Sequence, residues 1–293
     1  MKKLMAIVVS IAISSVSNLY ADGMKEISER FSKGAAEAVA NLIPGEGLTE
    51  VDIKIETKEE PTFSILGVRD IDKAESSNFF TQFSLRNADY ANDGSFVGNV
   101  GFGYRMLTLD DSLLLGLNTF YDRDLRRGHE RGSVGFEAKA LALEFNLNSY
   151  HELSNNKNSN GTVEQAIGGI DYRLATQVPY MPWAEFSWTG YEHDADKASS
   201  NVKGDIYTLG LALTPNLLLD LALDENHNTD DGDTQSAKFT FVHPPMNNGA
   251  TLLDGWSDEF FAKKSMQDEL SNKVERNNNL TVEIQGAVIF TKK

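Results

Sequence analysis

Hydrophobic residues occupy every second position along much of this 293-residue chain, and this alternation limits its possible folds more than any other feature. In SVGFEAKA, residues 133–140, apolar Val134, Phe136 and Ala138 alternate with polar or small side chains. Successive side chains of a strand point to opposite faces, so each such segment has one apolar and one polar face. Twelve strands are predicted on this basis, at residues 49–56, 62–70, 78–87, 95–107, 112–122, 131–140, 142–153, 165–174, 183–192, 204–213, 217–225 and 234–243.

The connections between these segments distinguish a membrane barrel from a soluble β-sandwich. Short connections, such as 110–111 and 139–142, alternate with long polar ones, such as 87–94 and 122–132. Outer-membrane barrels have tight periplasmic turns and long extracellular loops, whereas a sandwich has no reason to sort its loops in this way. We therefore predict an all-β fold, a transmembrane antiparallel up-and-down β-barrel of twelve strands over residues 49–243. A soluble extracellular β-sandwich acting as a binding module is the alternative.

Residues 1–21 have the character of a secretory signal peptide. Lys2 and Lys3 precede an apolar stretch, and Ala21 provides a small residue at the cleavage position. The stretch is shorter than the ~20 residues that a membrane-spanning helix needs, which argues against a transmembrane anchor. Apolar residues at helical spacing then predict an N-terminal periplasmic helix within residues 22–48. This helix either packs on the barrel rim or contacts peptidoglycan or an assembly factor.

The chain continues after the last predicted strand. Residues 244–279 are expected to form a periplasmic helix and a turn, because Ser257 is a suitable N-cap and apolar residues follow at near-helical spacing as far as Val274. Residues 280–293 are an extended, alternating segment. Its last 13 residues, fully extended, reach ~40 Å, which is enough to cross a hydrocarbon core of ~30 Å. The segment is expected either to lie in the barrel lumen or to be a disordered periplasmic end.

The polar face of each strand is expected to line the barrel interior. This face carries charges of both signs, which could pair with one another or hold an extended segment in the lumen. An Arg or Lys that faces lipid at the bilayer midplane costs ~2–4 kcal/mol, so the register is strongly fixed. Phe136→Arg is therefore predicted to abolish barrel assembly, and Glu137→Arg to be tolerated. The predicted lumen-facing residues are Arg86, Arg105, Asn118, Glu137, Lys139, Glu144, Asp171, Arg173, Glu185, Asp220 and Lys238.

Two histidine-containing segments are candidates for a chemical site. His129 lies in RRGHERG near several acids, and Ser154 follows in the next predicted loop, but no nucleophile motif surrounds any serine. His227 precedes acidic residues 230–233, whose spacing does not match a calcium-binding loop. The chain contains no cysteine, which excludes thiolate metal sites and cysteine nucleophiles. Both segments are predicted to be solvated loops, and we expect no enzyme activity, catalytic residue, cofactor or metal ion.

Several motifs, in this order and at these spacings, resemble those of the inverse autotransporters, the outer-membrane β-domain family of intimin and invasin. The resemblance extends from about residue 25 to residue 285. The segments that carry it are NFFTQFSLRNADY (78–90), GNVGFGYRML (98–107), GLNTFYDRD (116–124), RGHERGSVGFEAKA (127–140), NLNSYHELS (146–154), GIDYRLA (169–175) and KVERNNNLTVEIQ (273–285).

The resemblance implies a translocator and anchor whose C-terminal linker threads the pore and exports a C-terminal passenger, as in adhesin-type, type V secretion. Only eight residues, 286–293, follow the matching linker. The passenger is therefore expected to be absent. Because the passenger performs adhesion in the family, the resemblance does not imply adhesion for this chain. A passenger-free pore or structural barrel with partner-binding loops is the rival interpretation. The residues implied for the linker turn are Arg276, Asn277, Asn278 and Asn279, and those for the pore segment are Leu280, Thr281, Val282, Glu283, Ile284 and Gln285.

Charge and compartment limit the expected partners. The formal charge is −16, and it becomes −18 when residues 1–21 and their two lysines are removed. A nucleic-acid partner would require a basic face, so none is expected. For a protein of the bacterial outer membrane, the expected partners are outer-membrane lipid, the barrel-assembly machinery and periplasmic chaperones. An extracellular partner that binds the loops is a further expectation.

Overall fold

Twelve antiparallel strands close into one barrel in the computed structural model, which describes residues 45–57, 61–90, 93–159, 162–195, 201–227, 233–246, 249–262, 265–284 and 287–290. Each strand pairs with its neighbours along the barrel, and the first strand pairs with the last to close it. The predicted fold class is confirmed. The barrel strands are β1 (Thr49–Glu56), β2 (Thr62–Lys73), β3 (Ser77–Tyr90), β4 (Asp93–Thr108), β5 (Leu113–Asp124), β6 (Glu130–Ala140), β7 (Leu143–Glu152), β10 (Gly169–Val178), β11 (Met181–His193), β12 (Val202–Thr214), β13 (Leu217–Asn226) and β14 (Thr234–His243).

A second, smaller sheet lies outside the barrel. It has the order β16-β15-β9-β8, with strands β8 (Lys157–Ser159), β9 (Thr162–Ala166), β15 (Thr281–Ile284) and β16 (Ala287–Phe290). The prediction of a barrel strand over 165–174 is therefore wrong at its start. Residues 165–166 belong to β9, and the barrel strand β10 begins at Gly169 and continues to Val178.

The alternation of side chains follows the barrel wall as the sequence pattern requires. On β4, Val97, Asn99 and Arg105 are buried inside, whereas Phe96 and Tyr104 are about half exposed on the outer surface. A surface in contact with lipid needs apolar side chains, and the interior of a small barrel is filled by side chains of the other parity.

The connections between strands differ in length at the two mouths of the barrel, and some connections at one mouth are shorter than predicted. One mouth carries the short turns and is called the periplasmic mouth, and the opposite one is called the extracellular mouth. The predicted long loops at 87–94 and 122–132 are wrong, because β3 and β4 extend to residues 90 and 93, and only residues 125–129 separate β5 from β6. The Asp124 carboxylate tightens this turn, accepting 2.8 Å bonds from the backbone N–H groups of Arg126 and Arg127.

After β14 the chain crosses the periplasmic mouth and turns into the lumen. A 3-10 turn at Leu252–Asp254 leads to a rim contact, in which the Trp183 indole N–H donates to the Gly255 carbonyl at 2.7 Å. In the described part of residues 257–274, the predicted helix is reduced to one turn, α1 (Met266–Glu269). The physical reason is that the carbonyls of Leu270 and the following residues accept bonds from the barrel wall instead of from a helix.

The predictions for the N-terminus fall outside the described residues. These are the signal peptide, residues 1–21, and the greater part of the helical segment 22–48. In the part of the chain that the structure describes, no helix is long and apolar enough to cross a membrane.

Candidate functional site

The C-terminal segment from Ser265 to Ile284, called the luminal segment below, passes through the barrel from one mouth to the other. Its depth can be followed on β4, which runs from the extracellular to the periplasmic mouth. Arg105 on β4 bonds to Leu270, Asn99 further out bonds to Asn278, and Val97 beyond it packs with Leu280. The order is monotonic, so the segment advances steadily towards the exterior.

An apolar contact holds the luminal segment where it enters the lumen from the periplasmic mouth. Met266 and Leu270 pack against Leu107 and Leu114, which flank the short turn between β4 and β5. Lys273 then forms a 3.0 Å ion pair with Glu50 on β1, which is separated from β4 by β2 and β3. The segment is thus attached to separate strands of the barrel as soon as it enters.

Arg105 fixes the periplasmic half of the luminal segment to the wall. The fully buried guanidinium makes a forked ion pair with Glu137, with bonds of 2.7 and 3.0 Å. Its remaining N–H groups donate to four main-chain carbonyls of the luminal segment. It also lies 4.5 Å from the centre of the Phe80 ring. The carbonyls that accept from Arg105 belong to Glu269, Leu270, Asn272 and Lys273.

Asp122 organises the centre of the lumen. Its buried carboxylate pairs with Arg131 at 2.7 Å and with Arg276 of the luminal segment at 2.8 and 3.0 Å. The amide of Asn99 donates a further 2.7 Å bond to it. A buried carboxylate is stable only when it is paired and hydrogen-bonded, and these donors meet that condition.

Aromatic rings complete this centre. The Arg276 guanidinium lies 4.3 Å from the Phe120 ring centre, and that of Arg131 lies 4.2 Å from the ring centre of Tyr150. The Tyr150 hydroxyl donates to Asp171 at 2.6 Å and accepts from the backbone N–H of Asn277 at 2.8 Å. Cation–π contacts of this kind gain strength when they are removed from water.

Wall side chains thus take the place of a partner strand for the backbone of the luminal segment. Gln82 accepts from the Val274 N–H at 2.7 Å, and the Asn148 amide donates to the Glu275 carbonyl at 3.1 Å. Arg131 donates to the Asn277 carbonyl at 2.8 Å. Buried backbone groups need partners, and here they find them on side chains. An extended chain can therefore be held in the lumen through its backbone.

At the extracellular mouth the surroundings become apolar. Leu280 and Val282 are fully buried with Ala88, Val97 and Ala166 in one cluster. Beyond it, the Ile167 N–H donates to the Thr281 carbonyl at 3.1 Å, and β15 pairs with β9. The luminal segment therefore emerges onto the small outer sheet.

The family comparison gives this architecture a context. The chain matches the inverse autotransporter β-domain family over residues 9–278. The chain belongs to this family. As an inverse autotransporter β-domain, it is a protein of the bacterial outer membrane.

Curated relatives of this inverse autotransporter β-domain are much longer than the chain. The inverse autotransporter adhesin YeeJ of Escherichia coli (strain K12) is 26% identical over 216 residues, which cover 70% of this chain and 9% of the relative. Invasin of Yersinia enterocolitica is 27% identical over 218 residues, which cover 71% of this chain and 25% of the relative. A solved structure from work on the in-meso crystallization of membrane proteins is 18% identical, with a TM-score of 0.62, over 81% of this chain and 99% of that chain. At this identity the likeness concerns the fold alone.

The predicted lumen-facing residues of the β-domain fall into two groups. A cavity of about 660 Å³ lies in the lumen beside the luminal segment. Ion pairs join neighbouring strands along the cavity wall. Lys238 lies 2.8 Å from Asp220, and Arg173 lies 3.0 Å from Glu144. The cavity is lined by Arg86, Lys139, Glu144, Asp171, Arg173, Glu185, Asp220 and Lys238, whereas Arg105, Asn118 and Glu137 are buried against their neighbours.

The structure places the implied turn and pore residues at different depths from those expected. Residues 276–279 were expected to turn into the pore from the periplasm, but they lie in the middle and outer lumen, where Arg276 meets Asp122. The chain enters the lumen earlier, at Ser265 and Met266. Leu280 to Ile284 lie at the extracellular mouth, and Gln285 is outside the described residues.

The prediction of a solvated loop around His129 is wrong. His129 is fully buried, with its Nε2 atom 3.0 Å from the carboxylate of Glu164, which also pairs with Arg127 at 2.8 Å. Ser154 accepts from the backbone N–H of Glu130 at 3.0 Å. These contacts hold the loop to the barrel rim. Among the described residues, no group of three or more His, Asp or Glu side chains is placed to hold a metal ion.

Sequence reasoning missed the central residues Asp122, Arg131, Tyr150 and Phe120. Asp122 and Arg131 lie where the predicted strands 112–122 and 131–140 meet the predicted connection 122–132, and charged residues at a strand end resemble loop residues. A signal was nevertheless present. Asp122 and Phe120 share the parity of the predicted inward residue Asn118 on β5.

Proposed function

We propose that this β-domain is an outer-membrane translocator and anchor that exports its own C-terminal segment through its barrel. The observation that carries the proposal is the continuous path of the luminal segment from the periplasmic to the extracellular mouth. The bond from Arg105 to Leu270, the bond from Asn99 to Asn278 and the packing of Val97 with Leu280 mark three successive depths on this path. Membership of the inverse autotransporter family supports the same role.

The chemistry of the lumen suits transport of an extended chain. Arg105, Gln82 and Asn148 bond to backbone atoms that every residue has. Long, hydrogen-bonding side chains can transfer from one carbonyl to the next while the chain moves, so no buried backbone group is left unsatisfied for long. The Asp122–Arg276 contact is different, because it recognises one particular side chain. We assign it the role of seating the segment once export reaches this point.

The outer surface supports the anchoring role. On β4 the outward side chains Phe96, Phe102 and Tyr104 are each about half exposed on the isolated chain. Such an apolar band fits outer-membrane lipid, which we propose as the surrounding partner. Contact with the barrel-assembly machinery and with periplasmic chaperones remains a prediction, as does an extracellular partner for the loops.

An epitope tag placed after Lys293 tests export. In intact cells, an added protease is expected to remove the tag, because the luminal segment carries its end to the exterior. The same tag on a periplasmic protein serves as the control and is expected to be cut only after lysis. A tag on this chain that is protected in intact cells and cut only after lysis would overturn the proposal.

The cavity beside the luminal segment favours a second candidate function, passage of small hydrophilic solutes. It has a volume of about 660 Å³ and a wall with charges of both signs, including Lys238 and Asp220. Reconstituted barrels are expected to show a small, steady ionic conductance in planar bilayers. Thr208→Trp, on the cavity wall, is expected to reduce it, and Leu209→Trp, on the outer face of the same strand, to leave it unchanged. A silent bilayer would exclude this second function and leave the first intact.

A further inference from the structure

The small extracellular sheet joins two parts of the chain that are far apart in sequence. Strands β8 and β9 come from the connection between β7 and β10 and are called the docking hairpin below. Strand β15 comes from the luminal segment and pairs with β9 in antiparallel register, with Val282 opposite Ala166 and Ile284 opposite Glu164. The barrel strands make no part of this sheet.

We infer that the docking hairpin is a binding site for the exported chain, which it captures by adding it as a strand and holds against return to the periplasm. The inference rests on the proposed export function and assigns the retention step to named residues. The ligand is an extended segment with apolar side chains at two alternating positions, here Leu280 and Val282.

The mode of recognition changes at the hairpin. Inside the lumen, backbone atoms of the luminal segment bond to side chains such as Asn148 and Arg131. At the hairpin they bond to another backbone, as in the 3.1 Å bond from the Ile167 N–H to the Thr281 carbonyl. Strand addition gives affinity through main-chain bonds and selectivity through pockets for alternate side chains. The first stable strand pairing of the exported chain therefore forms outside the barrel.

Burial makes this pairing directional. Leu280 and Val282 are fully buried among Ala88, Val97 and Ala166. Withdrawal of the segment towards the periplasm would move these two side chains past the polar groups of Asn99 and Asp122. Moving apolar side chains from an apolar cluster to polar surroundings is unfavourable. The docked position therefore resists backward movement.

The hairpin is itself fixed to the barrel and can bear a load. Glu164, on β9, is held by Arg127 at 2.8 Å and by His129 at 3.0 Å, both from the turn between β5 and β6. At the other side of the connection, the Asp194 N–H donates to the Gly168 carbonyl at 3.2 Å. A free loop would follow a retreating chain, whereas this one is bonded to two neighbouring parts of the rim.

A disulfide test uses the absence of cysteine from the chain. Ala166→Cys with Val282→Cys places two thiols at directly opposed positions, which suits disulfide geometry. Val163→Cys with Val282→Cys is the matched control, because residue 163 has the opposite parity on β9. The first pair is expected to cross-link in intact cells roughly tenfold more than the control. Equal yields from the two pairs would overturn the inference.

A second test measures retention directly. The single variant Val282→Cys is expected to be protected from a bulky maleimide in intact cells, because the docked side chain is buried. The Ile167 N–H bonds to β15, and such bonds recur at every second residue of an antiparallel pair, so the Gln165 N–H also points at β15. Gln165→Pro removes this N–H, and it is expected to raise labelling of Cys at 282 roughly tenfold. Gln165→Ala keeps this N–H and is expected to leave the protection unchanged.

The outcomes separate docking from export. If the tag after Lys293 is cut in intact cells but Gln165→Pro and Gln165→Ala label equally, the docking inference fails and export stands. If the tag is protected in the parent chain, the proposed function itself fails. Protection that is lost only in Gln165→Pro, together with a surface-exposed tag, is the result that the inference requires.

Discussion

At the scale of single residues, Asp122 is the carboxylate that joins the barrel wall to the luminal segment at the centre of the lumen. It lies between two guanidiniums, Arg131 from the wall and Arg276 from the luminal segment, and all three side chains are buried. Arginine suits this role better than lysine, because its planar fork makes paired bonds to a carboxylate and also stacks on aromatic rings. Phe120 and Tyr150 provide those rings. One carboxylate thus joins the anchor to the segment that it holds.

Asp122→Asn is expected to be strongly destabilising, although the two side chains have the same shape. The substitution removes the negative charge between two buried arginines, and breaking a buried ion pair in this way typically costs about 3–5 kcal/mol. The measurement is the temperature at which the folded, heat-modifiable band disappears in a detergent gel. Asp110→Asn, in an exposed periplasmic turn, is the control and is expected to change stability by less than about 0.5 kcal/mol. Equal behaviour of the two variants would contradict the central place given to Asp122.

At the scale of the strand, large and small inward residues are matched across neighbouring strands. Gly103 on β4 lies opposite Phe80 on β3, and a Cβ atom at this glycine would lie 2.3 Å from the Phe80 ring. Phe80 in turn supports the Arg105 guanidinium. The glycine therefore makes room for a side chain that positions a contact to the luminal segment.

Gly103→Val should displace Phe80 and weaken the hold on the luminal segment. Overpacking of this kind typically costs about 1–3 kcal/mol. Gly98→Ala on the same strand is the matched control, because its nearest neighbour, Leu125 Cδ2, would be 3.8 Å away. Protease sensitivity of the luminal segment in detergent measures the effect, and it is expected to rise in the first variant alone. A rise of the same size in the control would argue against this packing.

The structure revises one prediction made from strand parity. Phe136 faces outward, so Phe136→Arg is still expected to block assembly, because an arginine that faces lipid costs ~2–4 kcal/mol. Glu137→Arg, however, would place a second guanidinium against the buried Arg105, which needs the Glu137 carboxylate. This variant is now expected to fail as well. Thr208→Arg, which faces the cavity, is the inward substitution expected to assemble. The folded fraction in outer-membrane preparations distinguishes the three, and failure of Thr208→Arg would contradict the inward assignment of its strand.

At the scale of the whole molecule, strand number and strand faces could be predicted because they depend on a local pattern. A period of two along Val134 to Ala140 needs no tertiary information. The closure of twelve strands follows, because backbone groups in lipid must all be paired. The positions of Arg105 and Glu137 in the lumen agree with this parity.

The rest could not be predicted, because it depends on contacts between distant residues. Asp122 and Arg131 have the composition of a loop, but each is buried by a bond to the luminal segment, more than a hundred residues away in sequence. Asp122 bonds to Arg276, and Arg131 donates to the Asn277 carbonyl. The helical spacing around Leu270 yields a single turn, because Arg105 takes the carbonyls that a helix would use. Likewise, residues 164–166 of β9 pair with β15, which is more than a hundred residues away in sequence.

The chain crosses the outer membrane with twelve barrel strands, and the luminal segment follows a threaded path through the barrel that crosses the membrane once more. Three cysteine variants of this cysteine-free chain test it in intact cells, with a maleimide too large to pass the outer membrane. Asp258→Cys, on the periplasmic rim, is expected to remain unlabelled. A cysteine added after Lys293 is expected to be labelled as fully as Asn155→Cys in the extracellular connection. Labelling of Asp258→Cys, or protection of the added cysteine, would contradict the threaded path.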